Sequence, residues 1–280
     1  MKVAAITGPR QSELQEVPNP KVCENFVLVR IEVAPMCTEY KGYKDGWASN
    51  VLGHEAAGEV VEVAQPGQVK VGDRVVVMPQ FPCGVCKLCL AGDYIHCEDC
   101  VDPLILCGSE TGLGTYAEYC IKQDWLCLPI PEGMSYEHAS MACCGLGPTF
   151  GAMQRMKVDA FDTVLIAGLG PVGLGGVINA RFRGARVLGL DSNPYRASLA
   201  LELGAEVIIN PEEPETLAQV RALTDRGRGV DKAIDCTAVP AAQSFCMDAT
   251  RRRGEVAFVG WGGRIERDLP VPQGDRKSVV

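Results

Sequence analysis

Residues 163–173 read TVLIAGLGPVG, and this stretch decides the fold class. Its first five residues are apolar or β-branched, which predicts a buried strand, and three glycines then follow at the spacing G-x-G-x-x-G. Asp191 ends the next apolar segment, about 20 residues on, where a dinucleotide-binding unit has its acidic residue. The stretch therefore predicts a strand, a tight phosphate-binding turn and a helix.

The turn has a specific physical rationale. The first glycine permits the tight turn, the second lets the backbone approach a pyrophosphate, and the third lets the helix pack closely on the strand. The predicted binding residues of this turn are Gly168, Gly170, Pro171, Val172 and Gly173. Asp191 would accept hydrogen bonds from ribose hydroxyls and repel a 2′-phosphate, which favours NAD over NADP. The alternative is a β–α turn that binds nothing.

The segments on either side of residue 154 have different patterns. From there to GEVAFVGWGG, apolar strands alternate with helices, which predicts a doubly wound parallel sheet. The earlier part is rich in short β-branched runs separated by Gly, Pro, Asn and Asp, among them KVAAIT, FVLVRIEVA, GEVVEVA, DRVVVMP, TYAEYCIK and WLCLPIP. We therefore predict an α/β protein with a β-rich, barrel-like domain at 1–153 and a nucleotide-binding domain at 154–280.

A cysteine-rich lobe, residues 81–107, interrupts the first domain. Within FPCGVCKLCLAGDYIHC the cysteines are spaced C-x2-C-x2-C-x7-C. Four soft thiolates at this spacing suit one tetrahedral Zn²⁺, and a closed four-sulfur shell leaves no position for a substrate. The predicted ligands of this structural zinc are Cys83, Cys86, Cys89 and Cys97.

A second metal site is predicted from residues far apart in the sequence. Cys37 lies in APMCTEY, His54 in LGHEAAGEVVEV, and two adjacent cysteines begin CCGLGPTF. One histidine and two cysteines can hold a catalytic zinc and leave one position open. Glu55, beside the histidine, is a natural partner for the metal or its ligands. From spacing alone, a histidine with only a structural role is the alternative.

Composition narrows the function classes. The 280-residue chain has a net charge of −8 and is 47% hydrophobic, which argues against nucleic acid or an anionic membrane as a partner. The first residues turn polar too soon for a signal peptide, so we expect a cytoplasmic protein. Of the fourteen cysteines, eight have no predicted metal role and are expected to be small apolar fillers: Cys23, Cys100, Cys107, Cys120, Cys127, Cys143, Cys236 and Cys246.

The chain resembles the medium-chain, zinc-dependent alcohol dehydrogenases in GHEAAGEVVEV, CGVCKLCLAGDYIHC, CGLGPTFGAM and AGLGPVG. The resemblance implies a GroES-like catalytic domain, a Rossmann domain, two zinc ions per chain, NAD and a small-molecule alcohol substrate. It implies Cys37, His54 and Cys144 as ligands of the catalytic zinc, with Cys143 as the rival for the third position. Arg196 matches a basic residue near the adenosine, and Val259 and Gly260 match backbone positions near the nicotinamide.

The resemblance also implies a proton relay that starts just after the first ligand. Thr38 is the hydroxyl candidate for its first group and Glu39 the carboxylate candidate, while a turn-capping role for Thr38 is the alternative. CTEY is one residue shorter than the usual segment, which leaves open whether Thr38 or Glu39 begins the relay. The stretch between Cys37 and His54 is also short, which predicts an open substrate pocket.

The sequence after GEVAFVGWGG has no clear strand or helix pattern. We therefore expect an incomplete Rossmann domain without its last strand, and a family homo-oligomer without its usual dimer contact. A truncated, catalytically impaired NAD- and zinc-binding relative is the second hypothesis for function. A zinc-independent reductase is disfavoured by the complete ligand set, and a metal-storage role leaves the dinucleotide turn unexplained.

Overall fold

The computed structural model describes residues 1–260 and 278–279. Their contacts form two compact units, Met1–Cys143 and Cys144–Val280. The sequence places the domain boundary after residue 153 instead. The segment in between belongs to the second unit because its helix α5, Gly147–Arg155, packs on the following helix α6, Pro171–Phe182.

The first unit is built on antiparallel sheets. Strands β1 (Lys2–Gly8) and β2 (Gln11–Glu16) form a hairpin. A five-stranded sheet has the order β6-β3-β4-β5-β7 and contains β3 (Phe26–Val33), β4 (Ala56–Val63), β5 (Arg74–Val77), β6 (Tyr119–Gln123) and β7 (Cys127–Pro129). One face carries a core of buried valines, including Val29, Val60 and Val75. This arrangement confirms the predicted β-rich domain.

Short helices occupy the connections of the first unit. They are α1 (Glu39–Asp45), α2 (Lys87–Leu90), α3 (Pro103–Cys107) and α4 (Tyr136–Ser140). A π-helical turn, Ala142–Leu146, follows α4. The strand β2 has no counterpart in the sequence prediction because its residues, QSELQE, are mostly exposed and lack an apolar alternation.

The second unit is a parallel sheet with the order β10-β9-β8-β11-β12-β13. Its strands are β8 (Thr163–Ala167), β9 (Arg186–Leu190), β10 (Val207–Ile209), β11 (Val230–Asp235), β12 (Thr250–Phe258) and β13 (Ser278–Val279). The connecting helices after α6 are α7 (Pro194–Glu202), α8 (Thr216–Ala222) and α9 (Pro240–Ala249). Two separate apolar clusters cover the sheet, which explains why β8 is apolar from Val164 to Ala167. The predicted doubly wound architecture is confirmed.

The end of the sheet differs from the sequence pattern. The two residues of β13 pair in parallel with β12, Glu255 opposite Ser278 and Val256 opposite Val279. Residues 261–277, between these strands, lie outside the described residues. The missing last strand and the missing dimer contact therefore stay predictions.

The cysteines without a predicted metal role have four different environments. Cys120, Cys127, Cys143 and Cys246 are buried, as expected for apolar fillers. Cys236 is partly buried, whereas Cys100 is exposed, so the filler prediction is wrong for Cys100. The filler prediction is also wrong for Cys23 and Cys107, which form a disulfide between the segment before β3 and the last residue of α3, with 5.3 Å between their Cα atoms. A sequence separation of 84 hides such a pair from local pattern reasoning.

Among the described residues, no helix combines the length and the apolar character that a membrane crossing requires.

Candidate active site

The four lobe cysteines form one cluster. The sulfur atoms of Cys83, Cys86, Cys89 and Cys97 all lie within 4.8 Å of one another, with 3.9 Å between Cys83 and Cys89. A tetrahedron with Zn–S bonds of about 2.3 Å has edges of roughly 3.8 Å, so the donor set fits zinc. The backbone amide of Cys83 donates to the Cys97 sulfur over 3.3 Å, a bond that stabilises a thiolate at this position.

Strand β6 anchors the start of the lobe. The ammonium group of Lys122 donates to the Gln80 carbonyl over 2.6 Å and lies 3.5 Å from the centre of the Phe81 ring. The side-chain amide of Gln123 donates to the Pro82 carbonyl over 2.8 Å. Gln80 has a φ of 63°, a backbone conformation that non-glycine residues rarely adopt. The lysine therefore holds a strained turn just before the first lobe cysteine.

Burial lowers the pKa of Lys122 from 10.5 to about 8. Between these two values the unfolded chain binds more protons at this position than the folded chain, so Lys122 makes the protein more stable as pH rises. Lys122→Met is expected to lack this increment when unfolding by urea is measured across the range. A variant curve that stays parallel to wild type above pH 8 would contradict the assignment, and the exposed Lys21→Met substitution is the control.

The second cluster in the first unit contains Cys37, His54 and Glu55. Their ligand atoms lie within 4.8 Å of one another. Cys37 precedes α1, whereas His54 and Glu55 directly precede β4, so two separate segments supply the donors. Glu55 is only 2% exposed, which suits an acidic group beside a cation.

Glu39 links the two segments. One carboxylate oxygen lies 2.6 Å from Nδ1 of His54, and the other accepts from the backbone amide of Cys37 over 3.2 Å. Burial alone would raise the pKa of Glu39, but the bonds with His54 and the backbone amides outweigh it and lower the pKa to about 2. The same bond raises the pKa of His54 against the effect of burial. A carboxylate on Nδ1 fixes the ring and leaves Nε2 as the metal-binding nitrogen.

Thr38 is exposed and stands at the N-cap position of α1, where its side chain makes no capping bond. Within the part of the chain that the structure describes, its backbone carbonyl accepts from the Lys41 amide over 2.9 Å. The structure therefore gives no support to the alternative of a turn-capping role.

The two adjacent cysteines have different surroundings. Cys143 is buried, and its thiol donates to the Val77 carbonyl over 3.5 Å and lies 3.7 Å from the sulfur of Met78. Burial raises the pKa of Cys143 to about 12, which disfavours the thiolate. Cys144 is partly buried and begins the second unit within the π-helical turn Ala142–Leu146. Such turns are frequent at functional sites.

The dinucleotide turn has the predicted geometry. Gly168 has a φ of 84°, and a Cβ on Gly173 would lie 1.8 Å from the Gly168 carbonyl oxygen. A Cβ on Gly170 would meet nothing within 4 Å, so the backbone there faces open space. Helix α6 begins at Pro171, and its first turn, with Val172, presents backbone groups at this edge.

Asp191 lies directly after β9, beside the turn. One carboxylate oxygen accepts from the Leu169 amide over 2.6 Å and the other from the Asn193 amide over 2.8 Å. The Arg196 guanidinium is 3.8 Å from the first oxygen. The side chain is thus held at the edge of the sheet with lone pairs remaining for a further donor.

Asp235 binds backbone amides at the end of the neighbouring strand β11. This residue is not singled out by the sequence analysis. It is fully buried at the end of β11, and its carboxylate accepts from the Thr237 amide and hydroxyl, over 2.9 and 2.6 Å, and from the Ala238 amide. Its carbonyl accepts from the amides of Val259 and Gly260 over 2.9 and 3.1 Å. The available signal was an acidic residue at the end of the apolar strand KAID.

Two family models match this chain, one within each unit. The family described as alcohol dehydrogenase GroES-like domain matches residues 24–132, and zinc-binding dehydrogenase matches residues 171–279. Sorbitol dehydrogenase of Bacillus subtilis is 33% identical over 97% of this chain and 78% of its own length. D-arabitol-phosphate dehydrogenase of Enterococcus avium is 32% identical, over 93% of this chain and 74% of its own. The solved alcohol dehydrogenase TADH from Thermus sp. ATN1 superimposes with a TM-score of 0.88 at 26% identity, covering 100% of this chain and 84% of that one.

A GroES-like unit with a cysteine lobe and a dinucleotide-binding unit together define a two-domain dehydrogenase class. The chain belongs to the medium-chain, zinc-dependent alcohol dehydrogenase family. It is an oxidoreductase whose cofactors are zinc and NAD. These similarities confirm the predicted family, fold and enzyme class, and they do not favour the hypothesis of a catalytically impaired relative.

Proposed function

We propose that this enzyme oxidises a small alcohol or polyol with NAD and that Cys37, His54 and Cys144 hold its catalytic zinc. The observation that carries the proposal is the Glu39 carboxylate, 2.6 Å from Nδ1 of His54 and bonded to the amide of Cys37. One carboxylate fixes two donors of different chemistry, which is the arrangement that a metal-binding histidine requires. The assignment of Cys144 follows from the family resemblance and from the inward-facing thiol of Cys143.

Each site residue of the first unit has a proposed role. A zinc ion held by these ligands would supply Lewis-acid chemistry, which lowers the pKa of a substrate hydroxyl. Glu55 places a negative charge beside the cation, and Glu39 orients His54 rather than carrying the substrate proton. Thr38, exposed and without a side-chain bond in the described residues, would accept the substrate proton at its hydroxyl oxygen while its own hydroxyl proton passes to water.

The second unit binds NAD in this proposal. The pyrophosphate lies along the turn formed by Gly168, Gly170, Pro171, Val172 and Gly173. Asp191 accepts hydrogen bonds from the adenosine ribose, with Arg196 beside it, and Val259 and Gly260 border the nicotinamide. The open backbone at Gly170 supports the first assignment, and the ordered carboxylate of Asp191 supports the second.

The substrate class is proposed from the relatives. Sorbitol dehydrogenase and D-arabitol-phosphate dehydrogenase both act on chains that carry neighbouring hydroxyls, so a polyol is the first candidate and a simple alcohol the second. The test is turnover of NAD with a panel of sugar alcohols, simple primary alcohols and threonine, followed by the absorbance of NADH. Oxidation of none of these by zinc-replete protein would overturn the proposal.

Asp191→Ala is expected to raise the dissociation constant of NADH by about 10- to 100-fold, because hydrogen bonds to a charged acceptor contribute about 1.5–3 kcal/mol. Titration of NADH fluorescence measures the effect. Glu202→Ala, an exposed change on the following helix α7, is the matched control and should bind NADH as wild type does. A wild-type preference for NADPH would refute the ribose assignment.

A further inference from the structure

A short segment, Gly114–Tyr116, contacts both segments that carry donors in the first unit. The Thr115 amide donates to the Gly53 carbonyl over 3.3 Å and the Tyr116 amide to the Leu52 carbonyl over 2.9 Å. A Cβ on Gly114 would lie 2.5 Å from the Leu52 carbonyl oxygen, so only glycine allows this approach. The segment is therefore packed backbone to backbone against the turn that leads into His54.

The hydroxyl of Thr115 holds the residue after the histidine. Thr115 is 4% exposed, and its Oγ1 donates to the Glu55 carbonyl over 2.9 Å. Gly53 accommodates this contact, because a Cβ there would lie 2.4 Å from the same hydroxyl oxygen. The bond fixes the peptide group between Glu55 and Ala56. It thereby restricts the directions in which the side chains of His54 and Glu55 leave the backbone.

The hydroxyl of Tyr116 holds the other donor segment. It donates to the Pro35 carbonyl over 3.0 Å and lies 3.4 Å from the Glu39 carboxylate, on the oxygen that also accepts from the Cys37 amide. Tyr116 thus reaches the chain on both sides of Cys37. Adjacent residues of one segment place a hydroxyl on each of the two donor segments.

We propose that the hydroxyls of Thr115 and Tyr116 are positioning groups for the catalytic zinc. The inference rests on the proposed function, in which Cys37 and His54 are ligands. Groups that orient ligands without touching the metal typically change metal affinity by 10- to 100-fold. Thr115 acts through the backbone of Glu55, and Tyr116 acts through Glu39 and the segment around Cys37. If these residues served only to fill space, apolar side chains of the same shape would replace them without loss.

The test is the release of zinc from the full chain into a competing chromogenic chelator, after loading with zinc alone. Tyr116→Phe and Thr115→Val keep the shape and remove one hydroxyl each. Each variant is expected to release one zinc about tenfold faster than wild type, while the zinc of the four-cysteine lobe leaves at the wild-type rate. Thr115→Ser keeps the hydroxyl and should restore slow release, which a space-filling role would not predict.

Matched controls come from the same unit. Tyr119→Phe changes a half-buried tyrosine of β6, and Thr111→Val removes a hydroxyl that donates to the Pro18 carbonyl over 3.0 Å. Both should release zinc as wild type does. If Tyr116→Phe does not fold, the comparison of Thr115→Val with Thr115→Ser decides the question.

The outcomes separate the two proposals. Wild type that holds two zinc ions, with wild-type release from both Tyr116→Phe and Thr115→Val, overturns the positioning role and leaves the proposed function in place. Wild type that holds only the lobe zinc overturns the proposed function itself.

Discussion

His54→Ala is expected to leave one zinc ion per chain where wild type holds two and to lower kcat/KM by at least about 1,000-fold. The histidine is the donor that Glu39 orients, and its loss leaves the proposed site with two thiolates and no nitrogen. Lewis-acid stabilisation of a reacting oxygen contributes several kcal/mol, and about 4 kcal/mol corresponds to a factor of roughly 1,000. Elemental analysis gives the zinc content, and NADH formation gives the rate.

Two comparisons locate the effect. His138→Ala removes an exposed histidine of α4 and should keep both zinc ions and full activity. Cys83→Ser should lose the other zinc and lower the thermal midpoint, because a four-thiolate site contributes to folding. An active His54→Ala enzyme with two zinc ions would show that the catalytic metal lies elsewhere.

Alanine substitutions at two glycines of the dinucleotide turn should have different effects, one on stability and the other on cofactor binding. Gly173→Ala places a Cβ 1.8 Å from the backbone oxygen of Gly168, a contact that neither side can relieve without moving the helix or the strand. Overpacking of this kind costs about 3 kcal/mol or more, which corresponds to a fall in thermal midpoint of roughly 6–12 °C. Circular dichroism during heating measures the change.

Gly170→Ala is the partner experiment. Its Cβ meets nothing within 4 Å, and the residue has an ordinary φ of −68°, so the thermal midpoint should stay within about 2 °C of wild type. The same methyl group occupies the space where the pyrophosphate is proposed to lie, so the dissociation constant of NADH should rise at least about tenfold. Equal loss of stability in both variants, or wild-type NADH binding by Gly170→Ala, would contradict this division of roles.

The sequence predicts those parts of the protein whose signal is local. Residues 163–173 carry an apolar strand, a glycine turn and a helix start within eleven positions, and the lobe brings its cysteines together within one loop. Both patterns are diagnostic because few other structures require glycines or cysteines at these short spacings. The fold class, the cluster of four lobe cysteines and the tight glycine turn therefore follow from local sequence patterns.

The remaining features depend on contacts between distant segments. The disulfide joins two cysteines 84 positions apart, and Lys122 of β6 donates to the Gln80 carbonyl just before the lobe. Glu39 has the sequence position of a relay group, and its bond to His54 supports the orienting role proposed for the carboxylate. Tyr116 lies 77 residues from Glu39 and has no local pattern at all. Side-chain partners of this kind follow from tertiary packing, which spacing does not encode.

The disulfide between Cys23 and Cys107 has a topological consequence. It closes a covalent loop that carries Cys37, His54 and the four lobe cysteines, that is, every proposed zinc ligand except Cys144. A closed loop has fewer conformations when the protein unfolds, so its ligands stay at a higher effective concentration around one another than in an open chain. Reduction of this disulfide would open the loop and remove that constraint from six of the seven proposed zinc ligands.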